Sequence, residues 1–143
     1  MTIEQLFSLS NTLALLGWIV LLASPVIPRA AQIASGMVIP GLLSILYAGL
    51  ILAFWSRAEG DFSSLAGVMQ LFTFKEAALA GWVHYLAFDM FLGAWEVRTA
   101  KKEGIPFYLV IPCLVLTFLF GPIGFLLFTA LRASRYGAVQ AAA

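Results

Sequence analysis

From Ala77 to Val97 the chain runs 21 residues with enough apolar character to cross a bilayer, and Asp89 stands near the middle of that run. Crossing takes about 20 consecutive apolar residues. A carboxylate at mid-bilayer costs roughly 3 kcal/mol on insertion scales, so an ionisable residue there is a functional-site candidate from the outset. The wider stretch, Lys75 to Lys102, also holds the only histidine, His84, together with three of the seven acids (Glu76, Asp89, Glu96) and four of the eight bases. The rest of the chain reads as a frame around this segment.

At about 100° per residue, Lys75, Trp82, Tyr85, Asp89 and Glu96 fall on one stripe about 80° wide. His84 lies about 140° round from Asp89 and about 7.5 Å along the axis, with Glu76 nearer its side. A straight helix therefore cannot bring His84 and Asp89 to one small site. Either an elongated ligand meets both, or each faces a different neighbouring helix. Plainer roles stay open: Asp89 as a structural polar contact to another helix, His84 as a packed ring bonded to a backbone carbonyl. Lys75, Glu76 and Glu96 lie near the ends of the segment, where long side chains snorkel to the interface.

Hydrophobic residues make up 62% of the 143 and charged residues 10%. That excludes an ordinary soluble fold and fits one integral membrane domain spanning residues 1–143. A formal net charge of +1 leaves no footprint for nucleic acid. A single cysteine, Cys113, sits in an apolar run and reads as an inert packed thiol. One histidine and one cysteine do not make a zinc site; no metal or other cofactor is expected.

Four apolar runs organise the chain into an all-α bundle of four transmembrane helices, expected at 6–23, 36–56, 76–98 and 107–131. Glu4 precedes the first run where a secretory signal would be basic, so that run reads as a retained helix. Ser24 to Arg29, with Pro25 and Pro28, ends it. In the second run Pro40 falls in the first turn or so, and Ser44 with Ala48 offers a small-residue face to a neighbour. Between 58 and 74, Phe62, Leu65, Met69 and Phe72 recur at helical spacing, with Asp61 or Ser63 as cap; this reads as a short amphipathic helix at the interface, or else a plain loop. Ala77 and Gly81 form a second small-residue pair. The fourth run is interrupted by Pro112 and by Gly121-Pro122-Ile123-Gly124, so a kink or break is expected there. The tail after Arg135 is expected to be disordered. Both termini fall on one side, and Lys and Arg divide four against four between the sides. With Lys75 drawn into the protein, the balance favours a cytoplasmic 98–106 turn.

The run Gly81-Trp-Val-His-Tyr-Leu-Ala-Phe-Asp-Met-Phe-Leu-Gly-Ala-Trp, then Gly104-Ile-Pro, then Phe118-Leu-Phe-Gly-Pro-Ile-Gly124, resembles the abscisic-acid-deficient-four type of small membrane proteins, the neoxanthin-synthase-like family. The resemblance covers roughly residues 5 to 132 and is densest at 72–125, with Trp82, His84, Tyr85, Asp89, Gly93 and the Gly121-Pro122-Gly124 break in the matching pattern. In plants the family resemblance implies plastid membranes and conversion of violaxanthin to neoxanthin. This chain is compact from residue 1, with no transit segment, and reads as a bacterial relative in an inner membrane. The implied reaction is a redox-neutral isomerisation: an acid protonates an epoxide oxygen and a base takes a proton from the adjacent polyene carbon. It needs no metal or nucleotide. Burial disfavours the charged form of a carboxyl, which suits the acid, and Asp89 fits that role; His84 is the natural proton acceptor. Trp82, Tyr85, Phe88 and Trp95 would pack along the polyene, with Lys75, Glu76 and Glu96 as further substrate contacts, although ordinary lipid-facing packing accounts for such aromatics as well.

Three functions compete: a carotenoid- or xanthophyll-modifying isomerase, a non-catalytic binder of a carotenoid or other isoprenoid lipid, and a small proton or cation transporter. The partners expected are that isoprenoid and the membrane lipids, with a homo-oligomer left open. The first, second and fourth runs carry no internal acid, which counts against a proton path.

Overall fold

A computed structural model of the chain describes residues 1–141, and side chains as far as Arg135. Every regular element among the described residues is helical. Helix α1, Ile3–Leu22, starts ahead of its apolar run because Thr2 and Gln5 close a capping box: Gln5 N donates to Thr2 Oγ1 (3.2 Å) and Thr2 N donates to Gln5 Oε1 (2.8 Å). The second segment starts at Pro28 rather than at Gly36. Pro28 opens α2, Pro28–Ile33, as its first residue, a position where a missing amide hydrogen costs nothing. A π-helical turn, Ala34–Val38, joins α2 to α3, Ile39–Phe54, and a 3₁₀ turn, Trp55–Arg57, ends the rod. Short α4, Leu65–Leu71, is capped by Ser64, whose hydroxyl accepts from Gly67 N. Asp61 instead accepts from Ser63 N and Oγ within the preceding turn. Helix α5, Lys75–Lys102, is the central element. Three helices are long and apolar enough to cross a membrane: Ile3–Leu22, Pro28–Arg57 and Lys75–Lys102.

α5 runs through the middle, packed on α1, α3 and the C-terminal segment, with Val83, Met90 and Ala94 fully buried. Glycine permits close approach at two crossings. A Cβ on Gly17 would meet Met90 at 2.7 Å, and one on Gly93 would meet the Trp18 ring at 2.6 Å. Beside Gly17, the Ser35 hydroxyl in the π turn donates to the Gly17 carbonyl (2.7 Å), tying the rod to α1. Ser44 and Ala48 are exposed and face no helix among the described residues of this chain; Ser44 Oγ bonds back to the Pro40 carbonyl. Gly81 makes room for the Phe72 ring, which brings α4 against α5.

The fourth run is not one continuous helix. It divides into α6, Phe107–Phe120, and α7, Pro122–Ala141, with Gly121 between them at φ +21°. Thr117 and Gly124 are in contact, whereas seven residues of unbroken helix would hold them about 10 Å apart. The two helices therefore form a hairpin. α6 runs back along α5, from the Lys102 end to Thr117 beside Glu96 and Gly121 beside Asp89. α7 then returns, passing Trp95 with Phe125 and Phe128 and reaching Glu103 with Arg132. Gly121 supplies the tight reversal and Pro122 the start of the next helix, so the expected break is present but folds the chain back. The physical reason is packing rather than length, since the run is long enough to cross: Thr117 lies against Gly124, and Trp95 against Phe125, on the two sides of the break.

This re-entry moves the C-terminal half of the charge pattern. Arg132 and Arg135 join Arg29, Arg98, Lys101 and Lys102 at one end of the bundle, leaving Arg57 and Lys75 at the other, six against two of the eight bases. Lys75 is not drawn inward; it is exposed and pairs with Glu4 at 3.6 Å. The N-terminus lies at the Lys75 end and α7 runs out at the opposite end. Instead of a disordered tail, α7 runs on to Ala141; residues 142–143 lie outside the described residues.

Candidate functional site

Two carboxyl groups on α5 are buried under the hairpin. Asp89 is 8% exposed and Glu96 is fully buried, two turns apart on one face. Glu96 Oε1 accepts from the Thr117 hydroxyl (2.9 Å), and its Oε2 has no partner. Asp89 Oδ1 lies against Gly121, so closely that a Cβ there would overlap it, and Asp89 Oδ2 has no partner. The Tyr85 phenol, one turn earlier, sits beside the Asp89 carboxyl and donates to the Phe118 carbonyl (3.4 Å). The first amides of α7 have no acceptor within their own helix, and the positive end of that helix falls at the apex beside Asp89. Buried carboxyl oxygens normally have partners, so two such orphans in one small region mark it as more than packing.

An aromatic line leads to this point. Phe7 of α1 tilts against Trp82 (6.0 Å), Trp82 stacks on Tyr85 (5.4 Å), and Trp82 Nε1 donates to Asn11 Oδ1 (2.8 Å). Phe7 and Trp82 line an open cavity of about 510 Å³ between α1 and α5, with the Lys75–Glu4 pair on its wall. Trp18, edge-on to Phe118 (5.5 Å), lines a smaller apolar cavity of about 130 Å³ between α1 and α6. The seam of α1, α5 and α6 is thus apolar and aromatic, and it ends at Tyr85 and Asp89.

The structure gathers Trp82, Tyr85, Asp89 and Glu96 on this side, as the helical spacing requires. The other candidate residues fall elsewhere. His84 is exposed on another flank, its ring 5.7 Å from Tyr47 of α3 and edge-on to Phe88 at 4.8 Å. Phe88 is 62% exposed beside it. Glu76 is half-buried near Trp55, and Lys75 is held by Glu4. Trp95 is taken up by α7, between Phe125, Phe128 and the Arg132 guanidinium. So His84 and Asp89 do not share a site.

Sequence reasoning passed over Thr117, Trp18 and Asn11. Thr117 carried a usable signal: it is a hydroxyl one turn before the Gly-Pro break, in a run otherwise poor in polar groups. Trp18 and Asn11 carried none, because their roles depend on how α1 docks. Cys113 is buried one turn before Thr117, its thiol facing the Leu109 carbonyl. Among the described residues no cluster of His, Cys, Asp and Glu could hold a metal ion.

No curated protein and no solved structure matches this chain. A family model, described as ABA DEFICIENT 4-like, matches residues 5–128, which takes in α1 through the apex of the hairpin and the first two turns of α7. The matched segment includes Asp89 and Glu96 with Tyr85, Thr117 and Gly121 beside them, and the chain belongs to the ABA DEFICIENT 4-like family.

Proposed function

We propose that the protein is a carotenoid-modifying membrane isomerase in which Asp89 does the acid–base work. The family points to a carotenoid-related function in general. The observation that carries the finer reading is the buried Asp89 carboxyl, with one oxygen unpartnered, at the end of an aromatic seam. A rigid polyene suits the seam past Phe7, Trp82 and Tyr85. A neutral carboxyl gives its proton to an epoxide oxygen, and the carbon–oxygen bond breaks to an alcohol. The adjacent polyene carbon then loses a proton, and its bonding pair closes the second double bond of an allene. The carboxylate left on Asp89 accepts that proton, so the substrate is isomerised and the enzyme restored. His84 stands too far round the helix to be the acceptor for the same small centre, and its part in the reading is contact with the outer stretch of an elongated ligand.

The test is conversion in a membrane: cells that make an epoxy-carotenoid are given this protein, and their pigments are extracted. A new pigment of unchanged mass supports the isomerase. Co-purification of unchanged pigment, with no new product, supports a non-catalytic binder instead. One observation favours a transport reading as well: half-helices that meet at a buried carboxylate are the architecture of ion sites in transporters. Proton uptake into vesicles carrying the protein, lost in Asp89→Asn, would favour that reading over both others.

The same proposal covers placement. The six bases at one end support a cytoplasmic side for that end, and the membrane in this reading is a bacterial inner membrane. Short α4, with Leu65 77% and Met69 65% exposed, then lies along the opposite interface.

A further inference from the structure

We infer that the basic end of the bundle holds a second site, one that binds the phosphate headgroup of an anionic phospholipid from the surrounding leaflet. A cavity of about 530 Å³ opens there between the Ser24–Ile33 corner, the end of α5 and the start of α6. Arg29, Arg98 and Lys101 stand on its wall. None of the three has a carboxylate partner among the described residues, whose ion pairs are Lys75 with Glu4 and Arg132 with Glu103. The nearest acid in sequence, Glu103, is engaged by Arg132 on α7. Glu96 is fully buried under Thr117.

One of these cations is already aimed. Gln32 Nε2 donates to the Ala94 carbonyl (3.2 Å), which fixes its Oε1 to accept from Arg98 Nη1 (3.0 Å). That leaves the remaining guanidinium donors of Arg98 for a ligand, and guanidinium groups match phosphate oxygens in pairs. On the same wall the Ser24 hydroxyl is 4% exposed and has no hydrogen-bond partner. A buried hydroxyl without a partner, on a wall that holds three cations with no carboxylate partner, is what a phosphate oxygen would satisfy. The remaining wall is apolar, with Ile33, Ile105 and Phe107. A headgroup with an apolar tail therefore fits better than a free anion. Membrane depth agrees, because the site lies at the end of the bundle that carries the excess of Lys and Arg, where anionic headgroups gather.

This inference does not depend on the carotenoid reading. The test uses the full-length protein in mild detergent. Thermal unfolding and native mass spectrometry are followed while dioleoyl phosphatidic acid, dioleoyl phosphatidylcholine or inorganic phosphate is added. The expected result is a saturable rise in melting temperature with phosphatidic acid, at least tenfold tighter than with phosphatidylcholine, and one lipid retained per protein. Arg29→Gln is the first variant, because Arg29 is exposed and makes no bond that folding needs. It should weaken binding several-fold with no change in the lipid-free melting temperature. Arg98→Gln and Ser24→Ala should each weaken it further. Equal response to phosphatidylcholine, or unchanged binding in Arg29→Gln and Ser24→Ala together, would overturn the site. An equal shift from inorganic phosphate alone would overturn the lipid as its occupant.

Discussion

The Asp89 carboxyl rests on Gly121, with no room between them for a single methyl group. Asp89 lies in the middle of the central helix and Gly121 at the tip of the α6–α7 hairpin. Their contact explains why the hairpin stops where it does. A reversal of chain direction inside a bilayer leaves carbonyls and amides without helical partners, and such backbone survives only where protein covers it. Tyr85 covers one carbonyl, at Phe118, and Asp89 faces the start of α7.

Gly121→Ala should therefore be costly on two counts, its φ of +21° and the Asp89 oxygen in the way. We expect a loss of about 2 kcal/mol or more, from backbone strain and overlap together. The check is a double-mutant cycle in detergent unfolding with Asp89→Ala. Removing the carboxyl opens the space, so the pair should cost less than the sum of the two singles by at least about 0.5 kcal/mol. Strict additivity would mean that the two residues do not touch.

Topology gives a sharper test. With a hairpin, residue 2 and residue 134 lie on opposite sides of the membrane; with a fourth crossing they lie on the same side. In a Cys113→Ala background, Thr2→Cys and Ser134→Cys should be labelled by an impermeant maleimide from opposite faces of sealed vesicles. Both positions are exposed and outside the packed core. Labelling of both from one face would restore the four-crossing bundle.

Much of the fold was legible because apolar run length and helical period are local properties. The spacing of Trp82, Tyr85, Asp89 and Glu96 on one stripe, and of His84 off it, needs nothing but the pitch of a helix. The start of the second segment is harder to read, because Pro28 can end the first run and the same residue type opens a helix equally well. The hairpin was not legible for a deeper reason. A Gly-Pro pair announces a break, but the angle of that break is set by what packs on either side, here Thr117 against Gly124 and Trp95 against Phe125. Those are contacts between residues that no local pattern links. Orientation depends on the same reversal, since it carries Arg132 and Arg135 to the opposite side from the one that a fourth crossing requires.

The returning helix is latched at its far end. Arg132 donates from Nε to Glu103 Oε2 (2.8 Å) and from its Nη2 to Oε1, and its guanidinium lies over Trp95 (5.7 Å). Arg132→Leu should lower stability by about 1.5–3 kcal/mol, the range for hydrogen bonds to charged groups, and loosen α7. Faster hydrogen exchange in 125–135, with α1 and α3 unchanged, would show that the loss is local. Exchanging the charges, Glu103→Arg with Arg132→Glu, should recover part of it. No recovery, with no change in exchange, would assign the stability of α7 to Phe125 and Phe128 instead.

Asp89 and His84 should differ in how their loss affects turnover. Asp89→Asn keeps the shape that fits Gly121 but cannot deliver a proton, so turnover of an epoxy-carotenoid should fall at least about 10²-fold, the usual worth of general acid catalysis. Were Asp89 only a contact between helices, Asn would keep most of the activity, since such bonds average about 0.6 kcal/mol. Tyr85→Phe removes the hydroxyl beside Asp89 and the bond to Phe118. It should cost less than Asp89→Asn; a larger loss would make the phenol the proton donor. His84→Ala changes a ring exposed against Tyr47 and Phe88, on another flank of the same helix. It should raise KM by a few-fold and leave kcat within about threefold, because contact with a distant part of a ligand gives binding that is the same in ground and transition states. If His84→Ala abolished kcat while the protein stayed folded, the acceptor would be the histidine after all. The substrate would then have to span both faces of α5, and the aromatic seam at Trp82 would be only one end of its path.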